Sequence, residues 1–67
     1  MRMKILVNEE VHDVGVRTLD ALLHELGYGD ACVATAVDGD FVAAARRGAH
    51  ALHEGCRVEI LAPMQGG

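Results

Sequence analysis

The sequence predicts an α+β fold, a mixed sheet of four to five strands with one main helix lying across one face. Three observations carry that expectation. Short apolar runs of strand type lie near both ends, at Met3 to Asn8 and Arg57 to Ala62. Leu19, Leu22, Leu23 and Leu26 form one apolar stripe at helical spacing between two hairpin patterns. The chain has 67 residues, room for one domain, which we place at 1–62 with a flexible tail at 63–67.

The first run contains Ile5, Leu6 and Val7 and is apolar on both faces, as a central strand should be. Glu9-Glu10 separates it from Val11 to Val14, which alternates with a period of two and completes a hairpin. The turn at Asn8-Glu9-Glu10 lacks the glycine that a tight hairpin prefers. Thr18 is placed to cap a helix reaching Leu26, with Gly27 as its stop and Asp20 at the positive end of its dipole. Cys32 to Val37 and Phe41-Val42 then flank Asp38-Gly39, the strongest hairpin signal in the chain. Ala43 to Gly55 is ambiguous, because its alanines favour a short helix or 3-10 turn while Gly48 and Gly55 interrupt it. In the last strand Val58 and Ile60 share one face, Glu59 and Leu61 the other, and Pro63 ends the ladder.

Composition excludes several functions. The 51% hydrophobic fraction is largely Ala, Val and Leu; the aromatics are Tyr28 and Phe41, with no Trp, which argues against stacking sites for bases or sugars. Ten acidic against six basic residues give a net charge of -4, so binding to nucleic acid or an anionic membrane is not expected. No apolar run approaches the length of a signal peptide core or a membrane span, and the expected location is the cytoplasm. The two cysteines, Cys32 and Cys56, read there as buried, inert free thiols.

Catalytic candidates inside the domain are poor. There is no serine, no CxxC and no Cys/His quartet of zinc spacing. His50 and His53 at i, i+3 lack further ligands and read as exposed side chains. Arg46-Arg47 reads as a solvated pair, with docking to an acidic partner as the alternative. The sequence after the last strand is different. Gly66-Gly67 follows Pro63, where folding requires no glycine, and a chain without Cβ atoms can thread a narrow channel. A terminal carboxylate there, with a pKa near ~3.5, is ionised at neutral pH and able to attack the α-phosphate of a nucleotide.

Taken in order, Met3 to Asn8, Thr18-Leu19, Leu22-Leu23, Leu26-Gly27, Val33-Ala34, Ala36 to Gly39, Leu52, Glu54-Gly55, Arg57 to Ile60 and Gln65-Gly66-Gly67 resemble the sulfur carrier proteins of the ubiquitin-like β-grasp superfamily. The resemblance is nearest to the thiamine-biosynthesis sulfur carriers, the ThiS family. It implies a carrier rather than an enzyme, with no catalytic residue and no bound cofactor or metal. Gly67 would be adenylated by an E1-like adenylyltransferase using ATP and Mg²⁺. Sulfur from a cysteine desulfurase or other donor would then give a thiocarboxylate for thiazole synthase. Gln65 and Gly66 would insert into the partner, Met64, Leu61 and Leu6 would form an apolar anchor beside them, and the free chain would be a monomer.

The chain departs from the family's usual pattern at Asp38, where Asn is commoner, at Ala43, where Pro is frequent, and at Cys56, where Asp is usual. Pro63 is similar to the small subunit of molybdopterin synthase, a sister family with the same Gly-Gly ending. That subunit and a ubiquitin-like protein modifier are the alternative readings.

Overall fold

The computed structural model describes residues 2–29 and 32–62. Five strands, one helix and one 3-10 helix follow in the order β1 (Met3–Val7), β2 (Glu10–Val14), α1 (Leu19–Glu25), β3 (Ala34–Val37), β4 (Asp40–Val42), the 3-10 helix Ala44–Ala49 and β5 (Arg57–Leu61). The sheet order is β2-β1-β5-β3-β4, with β1 and β5 parallel and every other neighbouring pair antiparallel. The expected mixed sheet with one main helix is therefore present. The expected tail at 63–67 lies outside the described residues.

Alternation along the strands decides which side is buried. Ile5, Val7, Val14, Thr35, Val37, Val42, Val58 and Ile60 are buried, and the apolar members form one cluster with Leu19, Leu22 and Leu23 of α1. Leu26 and Tyr28 pack at its margin. The leucine stripe thus turns α1 onto one face of the sheet, as its spacing predicts. Thr18 caps the helix, its Oγ1 accepting the Ala21 N–H at 3.2 Å, and Gly27 follows the C-cap with φ +91°.

The first hairpin closes without glycine. Val7 pairs with Glu10, so Asn8 and Glu9 are the two loop residues, with φ of 48° and 70°. Both signs match the twist that a two-residue hairpin requires, and Asn tolerates that region better than most residues. The Asn8 side chain also bonds across the sheet, where its Nδ2 donates to Ile60 O at 3.1 Å and its Oδ1 accepts from Ile60 N–H at 2.9 Å. The amide thus continues the β1–β5 ladder one step past the point where β1 turns away. Asn8→Ala removes both bonds and the turn preference, and is expected to cost about 1–3 kcal/mol in urea denaturation. A change within error would show that the pair contributes nothing.

The remaining elements depart from what the sequence predicts. Strand β3 starts at Ala34, and Cys32, expected buried, is exposed, whereas Cys56 is fully buried. The ambiguous segment resolves into the 3-10 helix followed by a bridge from Ala51 to Thr18, flanked by Leu19 N–H to His50 O at 3.0 Å and Leu52 N–H to Arg17 O at 2.8 Å. Leu52 enters the core from this bridge. Arg47, expected to be solvated beside Arg46, instead holds the sheet. Its Nε donates to Thr35 Oγ1 at 3.1 Å and its Nη2 to Val33 O at 2.6 Å, while Thr35 Oγ1 donates to Val42 O at 2.8 Å. A buried hydroxyl needs such partners, and the arginine supplies one.

Candidate functional site

One face of the sheet carries α1; the other has no element over it among the described residues. That open face displays the strand positions alternating with the core. Leu61 of β5 pairs with Ala34 of β3, and Ala36, two residues on, pairs with Phe41 of β4 and Glu59 of β5. Leu61 is 67% exposed and Phe41 73%, and the two alanines between them leave a shallow notch bordered by Glu59. Two large apolar side chains flanking small ones form a surface that a partner can bury, with a carboxylate at its rim.

Leu61 lies where the sequence expectation put it, on the face opposite Val58 and Ile60. Leu6 shares that face but does not enlarge the Leu61 patch. Across the parallel pair Leu6 sits opposite Arg57, four residues before Leu61 on β5, a separation of about 13 Å along the strand. Its neighbours are Val11 of β2, 68% exposed, and the Arg57 side of the sheet. The residue that completes the patch is Phe41, which sequence reasoning passed over. The signal was available: a two-residue turn at Asp38-Gly39 pairs Val37 with Asp40 and so sets Phe41 opposite Ala36, on the outer face.

The other candidates distribute as follows. Gly67, Gly66, Gln65 and Met64 lie outside the described residues; in sequence they follow β5, which ends at Leu61. His50 and His53 share no helix, since His50 is the C-cap of the 3-10 helix and His53 turns to Asp38, with Nε2 2.9 Å from its Oδ2. Asp38 also accepts the Arg57 N–H at 2.9 Å. That backbone bond, and then the His53 contact, hold its carboxyl below the usual aspartate value, while the Asp38 contact raises His53 above the usual histidine value. Among the described residues no three His, Cys, Asp or Glu side chains are grouped to hold a metal ion. No helix among them is long and apolar enough to cross a membrane.

A short domain with an open apolar sheet face, whose last strand leads into Gly66-Gly67, matches the model of the ThiS family over residues 2–67. The chain belongs to the ThiS family. Among solved structures it is similar to the crystal structure of a thiamine biosynthesis protein (ThiS) from Geobacter metallireducens, with 28% identity and a TM-score of 0.83. The superposition covers 97% of this chain and 100% of that one, so the β-grasp architecture is shared. A comparison with curated proteins finds no match. The ThiS-family match includes the Gln65-Gly66-Gly67 end as well as the folded domain.

Proposed function

We propose that the chain is a protein co-substrate, a sulfur carrier of thiamine biosynthesis, with Gly67 as the group that carries the sulfur. The observation that supports this most is the ThiS-family match extending through Gly67. In this reading the Gly67 carboxylate attacks the α-phosphate of ATP, held with Mg²⁺ by an E1-like adenylyltransferase, and pyrophosphate leaves. Sulfide attacks the acyl carbon and AMP leaves, giving the thiocarboxylate directly. Where a cysteine desulfurase supplies the sulfur as a persulfide, the acyl disulfide first formed is cleaved by a second thiol, which leaves as a disulfide with the donor's cysteine. The resulting thiocarboxylate passes its sulfur to thiazole synthase. Adenylation replaces a poor leaving group with a good one, so the carrier needs no catalytic group of its own.

The deciding experiment is intact mass after incubation with the adenylating partner, ATP, Mg²⁺ and sulfide. The expected product has one carboxyl oxygen replaced by sulfur and reacts with a thiocarboxylate-selective alkylating reagent at Gly67. An isopeptide-linked adduct on partner lysines, with no thiocarboxylate, would instead mark a protein modifier.

The open face supports the docking half of this reading. Leu61 and Phe41 lie beside the strand end from which residues 62 onward leave, so a partner holding them also positions the residues that follow. Leu61→Asp is expected to weaken binding to the adenylating enzyme or thiazole synthase about 10- to 100-fold, the loss of a central apolar contact. Its circular dichroism should stay native, because the side chain is outside the core. Unchanged affinity for both partners would remove this face from the mechanism.

A further inference from the structure

The end of the sheet remote from Leu61 carries a second arrangement that sulfur transfer does not use. After Val37, β3 turns away at Asp38, whose φ is 52°, yet its contact with β5 continues. Asp38 N–H donates to Arg57 O at 2.7 Å, and Asp38 Oδ1 accepts the Arg57 N–H at 2.9 Å. The carboxylate therefore stands in for the backbone carbonyl that an antiparallel ladder would place there. Its other oxygen, Oδ2, lies 2.9 Å from His53 Nε2. The remaining ring nitrogen, Nδ1, lies 3.1 Å from Glu54 O.

Both partners of the imidazole are acceptors, a carboxylate and a backbone carbonyl, and neither has a proton to give. The two contacts are both hydrogen bonds only when both ring nitrogens carry hydrogen, which is the imidazolium form. A neutral ring donates to one and presents a lone pair to the other. The charged groups around the site are Asp38 from the β3–β4 turn, Arg57 and Glu59 of β5, which line one hollow with Asp38, and Glu54 in the segment before β5. The Glu54 carboxylate is itself engaged by Lys4 N–H at 3.2 Å.

We infer that Asp38, His53 and the Arg57 backbone form a proton-gated clasp, which fastens the β3–β4 turn to the segment leading into β5 when His53 is protonated and loosens it when His53 is neutral. The clasp brackets the first residue of β5, so its closure restricts the strand start whose far end leads toward Gly66-Gly67. The directions follow by linkage. His53 is raised in the folded state, so its contribution is complete below the ordinary histidine value and is lost as pH rises through the folded one. Asp38 is lowered, so its contribution is present above the ordinary carboxylate value and is lost as pH falls through the folded one. The clasp is closed between those two limits.

Both side chains are partly solvent-exposed, at 64% for His53 and 47% for Asp38, so the signature should be local opening with the domain still folded. The test is an NMR titration of the full chain, following the His53 ring protons and the Arg57 backbone amide in wild type, Asp38→Asn and His53→Ala. In wild type the two probes should share one midpoint, and Arg57 amide exchange should show greater protection on its acid side after correction for intrinsic exchange. In Asp38→Asn, which keeps an acceptor for the Arg57 N–H, the His53 midpoint should fall. In His53→Ala the Arg57 amide should lose its response in the histidine range. A His53 midpoint unaltered by Asp38→Asn, or an Arg57 response surviving in His53→Ala, overturns the clasp. His53→Gln, which cannot titrate, gives an independent check: a retained Arg57 response there also overturns it.

Discussion

Deleting Gly67, or appending one residue after it, is expected to abolish thiocarboxylate formation while leaving the domain folded. One residue moves the carboxylate by about 3.5 Å along an extended chain. A misplacement of ~1 Å at a reacting centre already costs about 100-fold, so both variants should fall to background in the mass assay. Circular dichroism should not change, because every buried core residue among the described residues precedes Leu61. Ordinary product formation by either variant would defeat the assignment of Gly67 as the sulfur-bearing group. Changing Cys32 and Cys56 to alanine separates this carrier from one that holds sulfur as a cysteine persulfide. The folded double variant should still accept sulfur at Gly67.

The largest expected loss of stability is at Leu22. It is 0% exposed in the middle of α1, the helix whose leucines close the core. Leu22→Ala deletes three carbon atoms there and is expected to cost about 2–5 kcal/mol. At roughly 0.05–0.15 kcal/mol per residue the whole domain is stabilised by only about 3–10 kcal/mol, so the loss is a large fraction of the total and unfolds the domain at room temperature when its stability lies at the low end of that range. Urea denaturation measures this; a loss below about 1 kcal/mol would mean that the cavity collapses without penalty.

How far the sequence is legible depends on the range of the interaction. The leucine stripe of α1, the Thr18 cap and the Asp38-Gly39 turn are local patterns, and each formed at its expected place. The Asn8-Glu9 hairpin also formed where the alternation of β2 demanded it, although its turn lacks glycine. Its closure draws on contacts invisible to local reading, because the partner of the Asn8 side chain is Ile60. Arg47 escapes local reading for the same reason: nothing near it in sequence reveals the Thr35 hydroxyl and Val33 carbonyl it reaches. Cys32 precedes by two residues the strand to which its apolar neighbours assign it. At the site, Leu61 followed from the period-two pattern of β5, whereas Phe41 required combining a turn register with the knowledge of which sheet face stays open. Leu6 falls on the expected face, but the distance from Leu61 depends on the parallel register of β1 and β5, which the sequence does not encode locally.

The position of β5 also has a consequence for how the protein is made. β5 is the last strand among the described residues, yet it occupies the middle of the sheet between β1 and β3. Until it is present the two hairpins share no ladder, and Val58 and Ile60 are missing from the centre of the core. The pairing of Leu6 with Arg57 closes most of the chain into one loop, a contact of the kind that slows folding. On the ribosome, emergence of α1 and both hairpins is therefore insufficient for the native sheet, and cooperative folding awaits the arrival of Arg57 to Leu61. A nascent chain truncated before β5 therefore offers a partner neither the finished Leu61–Phe41 surface nor a stable domain.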